Sequence, residues 1–572
     1  MNVKAKKTGK CLLAIFFVGM SLLASAKMMI LGFNIDEEYA VAMGYRLASG
    51  DRMFLEMWEP HQMSAFACAF LVWIYQSLFH TKEYLVLFIR GAGVLIQAGL
   101  AVATFRVLKQ KFSKELSFWA ALLVFNALPK WTLVPEFSNL LLWCSLAVML
   151  CLTKYAFYVE MKSADNGGDE VLKPAKGSGF WLVLGAVFYC GAVLCYPSAV
   201  LMAPVYFYGL YRLTPAKLRK KIWLFPTTCV VMGIAYVAYF LSHMSPEQFL
   251  YGIRQMMTDG EHTYSAMDRV VSYGTEFLNL CPWILSVVIP SIVLALIAEK
   301  KWKNGKAVFG ASMMVISCVE QVIVWMGPET YLNTPLVFFY LVFAVGFCCP
   351  KKDEALYRFG FLPSVVAVIG VLILTNTDIG VSGMQLLPGM ICAGVFMVQS
   401  FEQKAEKILT TCALLAVMAV FFCGKGWLVC ESGGYKADAL FVKQKALYGV
   451  ARNIYCGYLD GYGYNQLHDT IDGYVSDEDA VLIVGKHSLR YLLTDAKISM
   501  YSTISTPTFD ERLLEYWEQY PDRYPTVIIV EPGQEGWETI KEYFTLRPET
   551  LESEKMMIYF TERYHADGAD AK

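Results

Sequence analysis

The sequence predicts a polytopic α-helical membrane protein that ends in a water-facing α/β domain. Three observations predict it. Of 572 residues, 56% are hydrophobic and only 17% charged, with a mean hydropathy of +0.42. Soluble domains carry roughly a quarter charged residues, so this composition cannot wet several globular surfaces. Apolar runs long enough to cross ~30 Å of hydrocarbon recur through the first three quarters of the chain. Charge is divided as well: from Leu428 onward 14 Lys and Arg stand against 24 Asp and Glu, a net of −10, whereas the preceding part nets +9. A soluble enzyme, a secreted disulfide scaffold and a disordered chain are excluded.

The clearer apolar runs lie at 11–33, 63–79, 84–107, 138–158, 222–243, 276–298, 307–326, 335–349, 358–375, 381–399 and 408–427. A weaker run at 117–135 is interrupted by Asn126, Pro129 and Lys130. The stretch 180–212 is too long for one helix and breaks at Tyr196-Pro197-Ser198, which predicts a tight helical hairpin. The first run has a basic start and Ala24-Ser25-Ala26, imitating a secretory signal, yet its apolar character continues through Met28, Ile30 and Phe33. An uncleaved first helix is expected. Of the 16 cysteines, 14 precede Leu428, mostly inside apolar runs where Cys acts as a small hydrophobe, and none has zinc-ligand spacing.

Basic residues orient the chain in the cell membrane. Lys4, Lys6, Lys7 and Lys10 place the N-terminus in the cytoplasm, with the loops of Lys217–Lys221, Lys300–Lys306, Lys351–Arg358 and Lys404–Lys407. The tail then lies outside. Lys109, Lys111 and Lys114 break the alternation, so one element between 63 and 158 is not a full crossing, and 117–135 is the first suspect. The expectation is about 13 spans in a membrane domain of residues 1–427, followed by an extracytoplasmic domain of residues 428–572. In that domain Ala480–Gly485 and Thr526–Val530 have the pattern of buried strands, and Phe509–Tyr520 that of a helix with Leu513, Leu514 and Trp517 on one side. Asp477-Glu478-Asp479 imitates a DxD metal motif, but beside a strand of an acidic domain it is expected to be a solvated turn.

The densest polar segment outside the tail is the first outward loop, 34–62. It opens Asn34-Ile35-Asp36-Glu37-Glu38-Tyr39 and closes Trp58-Glu59-Pro60-His61-Gln62. Three consecutive carboxylates at the hydrocarbon edge carry a desolvation cost that calls for a cation, a metal or a function. A carboxylate there can accept a proton from an incoming hydroxyl. Acidic residues also flank first helices for no chemical reason, and composition alone leaves the two readings even. A second polar outward loop, 244–275, holds Arg254, Asp259, Glu261, His262 and Tyr264, residue types that position a substrate or hold a divalent ion. Arg90, at the start of the third run, is a partner for a lipid phosphate or a buried carboxylate, or an interfacial snorkel.

The acidic pair after the first helix, the Gly50-Asp51 turn and Trp58-Glu59-Pro60-His61-Gln62 entering the second run together resemble the GT-C glycosyltransferases. More narrowly they are similar to the branch of protein O-mannosyltransferases and the lipid A aminoarabinose transferase. The resemblance implies a GT-C-like membrane fold and transfer of a sugar from a polyprenyl-phosphate carrier to a glycan, lipid or protein acceptor. It implies Asp36 as the catalytic base with Glu37 beside it. Substrate binding is expected from Glu38, Glu59, His61, Gln62, Arg90, Asp259, His262 and Tyr264. The family's His-Pro-Pro-Leu stretch would fall at Pro60-His61-Gln62-Met63, where the His follows the proline and the second proline is missing. No cofactor is certain; a divalent cation, Mg or Mn, would draw on Asp36, Asp259, Glu261 and His262. The bilayer is an expected partner and nucleic acid is not. A lipid-linked-sugar flippase would place ionisable groups deep in several helices, and a polysaccharide polymerase or ligase would place its catalytic loop late, so both are the alternatives.

Overall fold

The computed structural model describes residues 3–128, 132–165, 177–257, 266–326, 337–374, 378–431, 434–436, 444–504, 511–534, 536–553 and 555–564. Among these the chain is mostly helical, and eleven helices are long and apolar enough to cross a membrane. The helices that build the first part are α1 (Val3–Ile30), α2 (Ile35–Ala48), α3 (Gln62–Phe79), α4 (Leu85–Leu108), α5 (Lys114–Asn126), α6 (Phe137–Asp165) and α7 (Ser178–Cys195). After them come α8 (Ala203–Leu213), α9 (Leu224–Leu241), α10 (Pro246–Met257), α11 (Ala266–Trp302), α12 (Gly305–Trp325) and α13 (Val337–Cys348). Glu354–Leu374, Gly383–Ser400 and Lys404–Trp427 complete the bundle. The break at Tyr196 falls as expected: α7 ends at Cys195 and a 3-10 turn begins at Pro197.

Contacts sort the helix ends into two sides. On the far side from the tail, Lys111 pairs with Glu160 at 2.7 Å and Asp353 at 2.9 Å, Tyr155 meets Thr214 at 3.2 Å, and Lys221 donates to Ser178 at 3.1 Å. The tail side is marked by bonds to the C-terminal domain. Both ends of α3 lie there. Just before it, the Trp58 amide donates to the Tyr501 carbonyl at 3.1 Å. Just after it, Lys82 pairs with Asp495 at 2.7 Å and Arg452 with Glu83 at 2.6 Å.

Despite its hydropathy, α3 therefore does not cross. It runs back along α2, and Gly44 allows the approach, since a Cβ there would sit 2.4 Å from the Cys68 Cβ. Ala65, Cys68, Val72 and Tyr75 are buried, while Phe70, Trp73, Leu78 and Phe79 are exposed. Such a helix lies in a membrane interface with its apolar face toward lipid. The suspect stretch is the one that does traverse, in its described residues 117–128 and 132–135. It rises from the far side as α5, reaches the Asn126–Ser21 hydrogen bond at 2.9 Å, and delivers Phe137 to the tail side, where its ring stacks 3.9 Å from His61. Its interruptions mislead because Asn126 is satisfied inside the bundle, by Ser21 and by the Leu122 carbonyl. Taking α3 from the eleven and adding α5, the Pro197–Leu213 segment and α13, all shorter, restores the thirteen traverses expected among the described residues.

Two lysines close helix ends in the bundle. Lys425 is fully buried and donates to the Phe125 carbonyl in the last turn of α5 at 3.0 Å. Lys27 donates to the Leu428 carbonyl where the last helix stops. Each cation sits at the negative end of a helix, where unpaired carbonyls collect.

The tail carries a five-stranded sheet in the spatial order Lys497–Ile498, Ala480–Val484, Val527–Val530, Met556–Thr561, Leu546–Ser553. The first three strands are parallel, and Met556–Thr561 pairs antiparallel with the neighbour on either side. Ala480–Val484 and Val527–Val530 are buried along their whole length, which requires cover on both faces. Val481, Ile483 and Ile529 share one apolar cluster with Phe33, Ala40, Val41, Leu85 and Ile89 of the membrane part. Leu482, Val484 and Ile528 share another with Trp58 and with Leu513, Tyr516 and Trp517 of the helix Glu511–Gln519. The tail is thus seated directly on the first loop.

Candidate functional site

The three carboxylates after α1 occupy the first turn of α2. Asn34, in extended backbone, caps that helix by accepting from the amides of Asp36 at 2.9 Å and Glu37 at 3.3 Å. Acidic side chains in a first turn also face the positive end of the helix dipole. Successive positions on a helix point about 100° apart, so the three side chains go to three environments.

Glu37 turns into the bundle. Its two oxygens accept from Arg90 Nε at 2.5 Å and Nη2 at 2.8 Å, and both residues are 2% exposed. The remaining guanidinium donors go to the carbonyls of Met28, Met29 and Gly32. One arginine thereby ties the end of α1, the start of α2 and α4 together. Glu38 turns toward the tail, accepting from His487 Nδ1 at 3.2 Å and the Leu489 amide at 3.4 Å. Burial works against a charged imidazole at His487, but the Glu38 carboxylate outweighs it and raises the ring above its ordinary value. Asp36 is different: its side chain is half-buried, at the surface of the same turn.

The closing end of the loop is held as firmly. Glu59 is 1% exposed and accepts from the Tyr39 hydroxyl and from Ser502 Oγ at 3.0 Å, while its Oε1 has no hydrogen-bond partner. Burial pushes its carboxyl up to about 7 against the lowering effect of Tyr39, Arg46 and Ser502. His61 Nδ1 lies 3.0 Å from the Cys195 carbonyl, and the ring stacks on Phe137 and meets Tyr196 at a tilt. Gln62 accepts from the Tyr236 hydroxyl and its amide meets Met256 Sδ at 3.6 Å, joining α3 to α9 and α10. His61 and Gln62 are therefore engaged as braces of the loop. Asp259, Glu261, His262 and Tyr264 lie outside the described residues.

Several groups that shape the site were not singled out from the sequence. Arg46 pairs with Asp51 at 2.7 Å, and Arg523 of the tail reaches the same carboxylate at 2.5 Å. Burial alone would push the Asp51 carboxyl up, but the two guanidinium groups hold it below the usual carboxylate value. The Gly50-Asp51 turn was visible, but not its partner 472 residues away. Glu136 is fully buried and caps α6 by accepting from the amides of Ser138 and Asn139, each at 2.7 Å. No local signal would have found it, since glutamate is not among the usual N-capping residues.

Among the described residues no group of three His, Cys, Asp or Glu side chains is arranged to hold a metal ion. With Glu37 committed to Arg90 and Glu38 to His487, the neighbours of Asp36 are not available as its co-ligands. The arrangement is a half-buried carboxylate on a charge-compensated helix turn beneath an α/β domain.

The fold and this turn define a multi-pass helical membrane protein with a covered carboxylate site. No family model matches the chain, and no curated protein does. Solved structures similar to it include ArnT from Cupriavidus metallidurans in the apo state, at 11% identity over 97% of this chain and 98% of that one, with a TM-score of 0.45. ArnT bound to undecaprenyl phosphate matches at 12% identity over 95% and 97%, with a TM-score of 0.41. The Archaeoglobus fulgidus oligosaccharyltransferase, in complex with Zn and sulfate, matches at 10% identity over 90% of this chain and 67% of that one, with a TM-score of 0.45.

Proposed function

We propose that this chain is a GT-C-type membrane glycosyltransferase that moves a sugar from a polyprenyl-phosphate carrier to an acceptor hydroxyl at the tail-side membrane face. The N-terminus faces the cytoplasm and the tail the outside. The observation that carries the reading is the division of labour within one helical turn. Glu37 and Glu38 are each 2% exposed and locked by Arg90 and His487, while Asp36 between Ile35 and Glu37 is only half-buried and presented at the surface. A buried pair this costly is retained where it fixes geometry.

In the reaction, the Asp36 carboxylate accepts the acceptor's hydroxyl proton as the oxygen attacks the anomeric carbon. The bond from that carbon to the carrier phosphate breaks, and its electron pair leaves on the phosphate oxygen. One displacement inverts the anomeric centre, and phosphate is a good enough leaving group that no enzyme-bound sugar is needed. Arg90 and Glu37 act as positioning residues, since they hold the turn that aims Asp36. Asp259, Glu261, His262 and Tyr264 of the second loop remain candidates for the substrates or a divalent ion.

The test is transfer from a radiolabelled polyprenyl-phosphate sugar in membranes containing Asp36→Asn. Transfer is expected to disappear while the protein is made in normal amount. Undiminished transfer sinks the proposal.

A further inference from the structure

Between α3, α4, α6 and α7 lies a cavity of about 1250 Å³. Phe66 and Phe70 of α3 form its tail-side end, Leu95 and Trp143 its middle, and Leu150 and Trp181 its deeper wall. At the far-side end its lining turns polar, with Arg106, Gln110 and Lys154. This end lies on the opposite side of the bundle from Asp36.

We infer that this groove seats one anionic phospholipid from the leaflet away from the tail, with its acyl chains along α4 and α6 and its phosphate on Arg106 and Lys154. The charge balance points to it. The far-side carboxylates Glu160 and Asp353 are both engaged by Lys111, at 2.7 and 2.9 Å. Among the described residues no carboxylate lies within ion-pair distance of Arg106, Lys109 or Lys154. Uncompensated cations at the foot of an apolar slot match a ligand that is a hydrocarbon chain with an anionic head. Arginine supplies a fork suited to two phosphate oxygens and lysine a point charge.

Gln110 turns its Nε2 back to the Arg106 carbonyl at 2.9 Å, so discrimination between headgroups falls to the two cations, which favour a net anionic head over a zwitterionic one. Simple snorkelling of Arg106 and Lys154 to the interface would give attraction to any anionic surface and no stoichiometric site.

Native mass spectrometry of the full chain, purified in mild detergent with phosphatidylglycerol and phosphatidylcholine in equal amount, tests the inference without reference to transfer activity. One phosphatidylglycerol is expected to stay bound in preference to phosphatidylcholine. Its affinity should fall roughly thirtyfold in the double variant Arg106→Gln, Lys154→Gln. Lys301→Gln, an exposed lysine on the same side, should change nothing. Gly99 lines the groove and a Cβ there meets no atom within 4 Å, so Gly99→Phe fills the slot without altering charge and should also expel the lipid. Equal retention of the two lipids, retention that survives Gly99→Phe, or an equal loss in Lys301→Gln overturns the site. So does one-for-one displacement of phosphatidylglycerol by polyprenyl phosphate, which would give the groove to the carrier.

Discussion

The two faces of the bundle differ in the driest ion pairs they hold. On the tail side, Arg90–Glu37 is 2% exposed at both partners, and Arg46–Asp51 is 1% and 12% exposed. On the far side, Lys351–Glu402 is 58% and 68% exposed, and Lys111–Glu160 is 36% and 60%. Water screens the second set, so those pairs add little stability and serve to hold basic loops on one side of the membrane. The first set costs desolvation energy that a stability-driven surface would avoid. The tail side also carries exposed pairs, Lys82–Asp495 and Arg452–Glu83, and the far side buries Asp353, so what sets the first loop apart is that its pairs are nearly dry at both partners, as no far-side pair is among the described residues.

The largest effect expected from breaking that contrast is at Asp36, which is half-buried beside the dry Arg90–Glu37 pair. Asp36→Asn should lower the transfer rate by about 10²–10⁴, the usual worth of a positioned base. Thermal unfolding in detergent should not move, because the turn keeps its Asn34 cap and the Arg90 clamp. A variant that unfolds early would show Asp36 to be part of the framework.

Next comes the clamp itself. Arg90→Ala leaves Glu37 buried and uncompensated, which should cost about 3–5 kcal/mol. Replacing both partners, with Arg90→Met and Glu37→Leu, should return most of that stability, although the freed carbonyls of Met28, Met29 and Gly32 keep it from being complete. If the double variant is stable yet inactive, the pair is there to aim Asp36. If it is stable and fully active, that positioning role is lost from the account.

Glu59 gives the junction of loop and tail a pH dependence. Its folded-state value is raised from 4.5 to about 7 by burial, so the folded chain keeps a proton that the unfolded chain releases. Stability from this group is therefore full below about 4.5, falls by up to roughly 3 kcal/mol as pH rises through 7, and is level above. His487, raised by Glu38, loses its contribution in the same upward direction, whereas Asp51, lowered by Arg46 and Arg523, loses its own only as pH falls into the carboxylate range. The difference between wild type and Glu59→Gln isolates the glutamate: unfolding measured from pH 4.5 to 8 should show a gap that changes across this window and then holds constant. A constant gap throughout would mean that Glu59 titrates in the folded protein as it does in the unfolded chain.

How far this contrast was legible in the sequence depends on the distance between partners. The Pro197 break and the buried strand Ala480–Val484 are local patterns, and each was readable, whereas the helix Ile35–Ala48 reads as part of an outward loop because its run of polar residues hides it. Asp36, Glu37 and Glu38 were visible as a cluster but not as three different environments, because Arg90 and His487 stand 53 and 449 residues from their partners. Hydropathy misjudged α3, since a run of apolar residues has the same composition whether it crosses lipid or lies along it. What lays α3 flat is the hold on both its ends by Tyr501, Asp495 and Arg452 of the tail. The weaker α5 was underrated for the converse reason: Asn126 costs hydropathy but is satisfied within the bundle.

The smallest effect belongs to the far side, and it is the control on all the others. Arg358 and Glu354 form an i,i+4 pair at 2.8 Å, with the carboxylate 64% exposed. Its geometry is as good as that of many tail-side pairs, so geometry alone would predict a comparable loss on removal. Exposure predicts otherwise: Glu354→Gln should change stability by less than about 0.5 kcal/mol and leave transfer untouched. Raising salt should weaken this pair in the wild type and leave Arg90–Glu37 unaffected, because mobile ions reach only the wet carboxylate. A loss at Glu354 approaching that of Arg90→Ala would mean that burial does not set the two kinds of pair apart, and the contrast between them would fail with it.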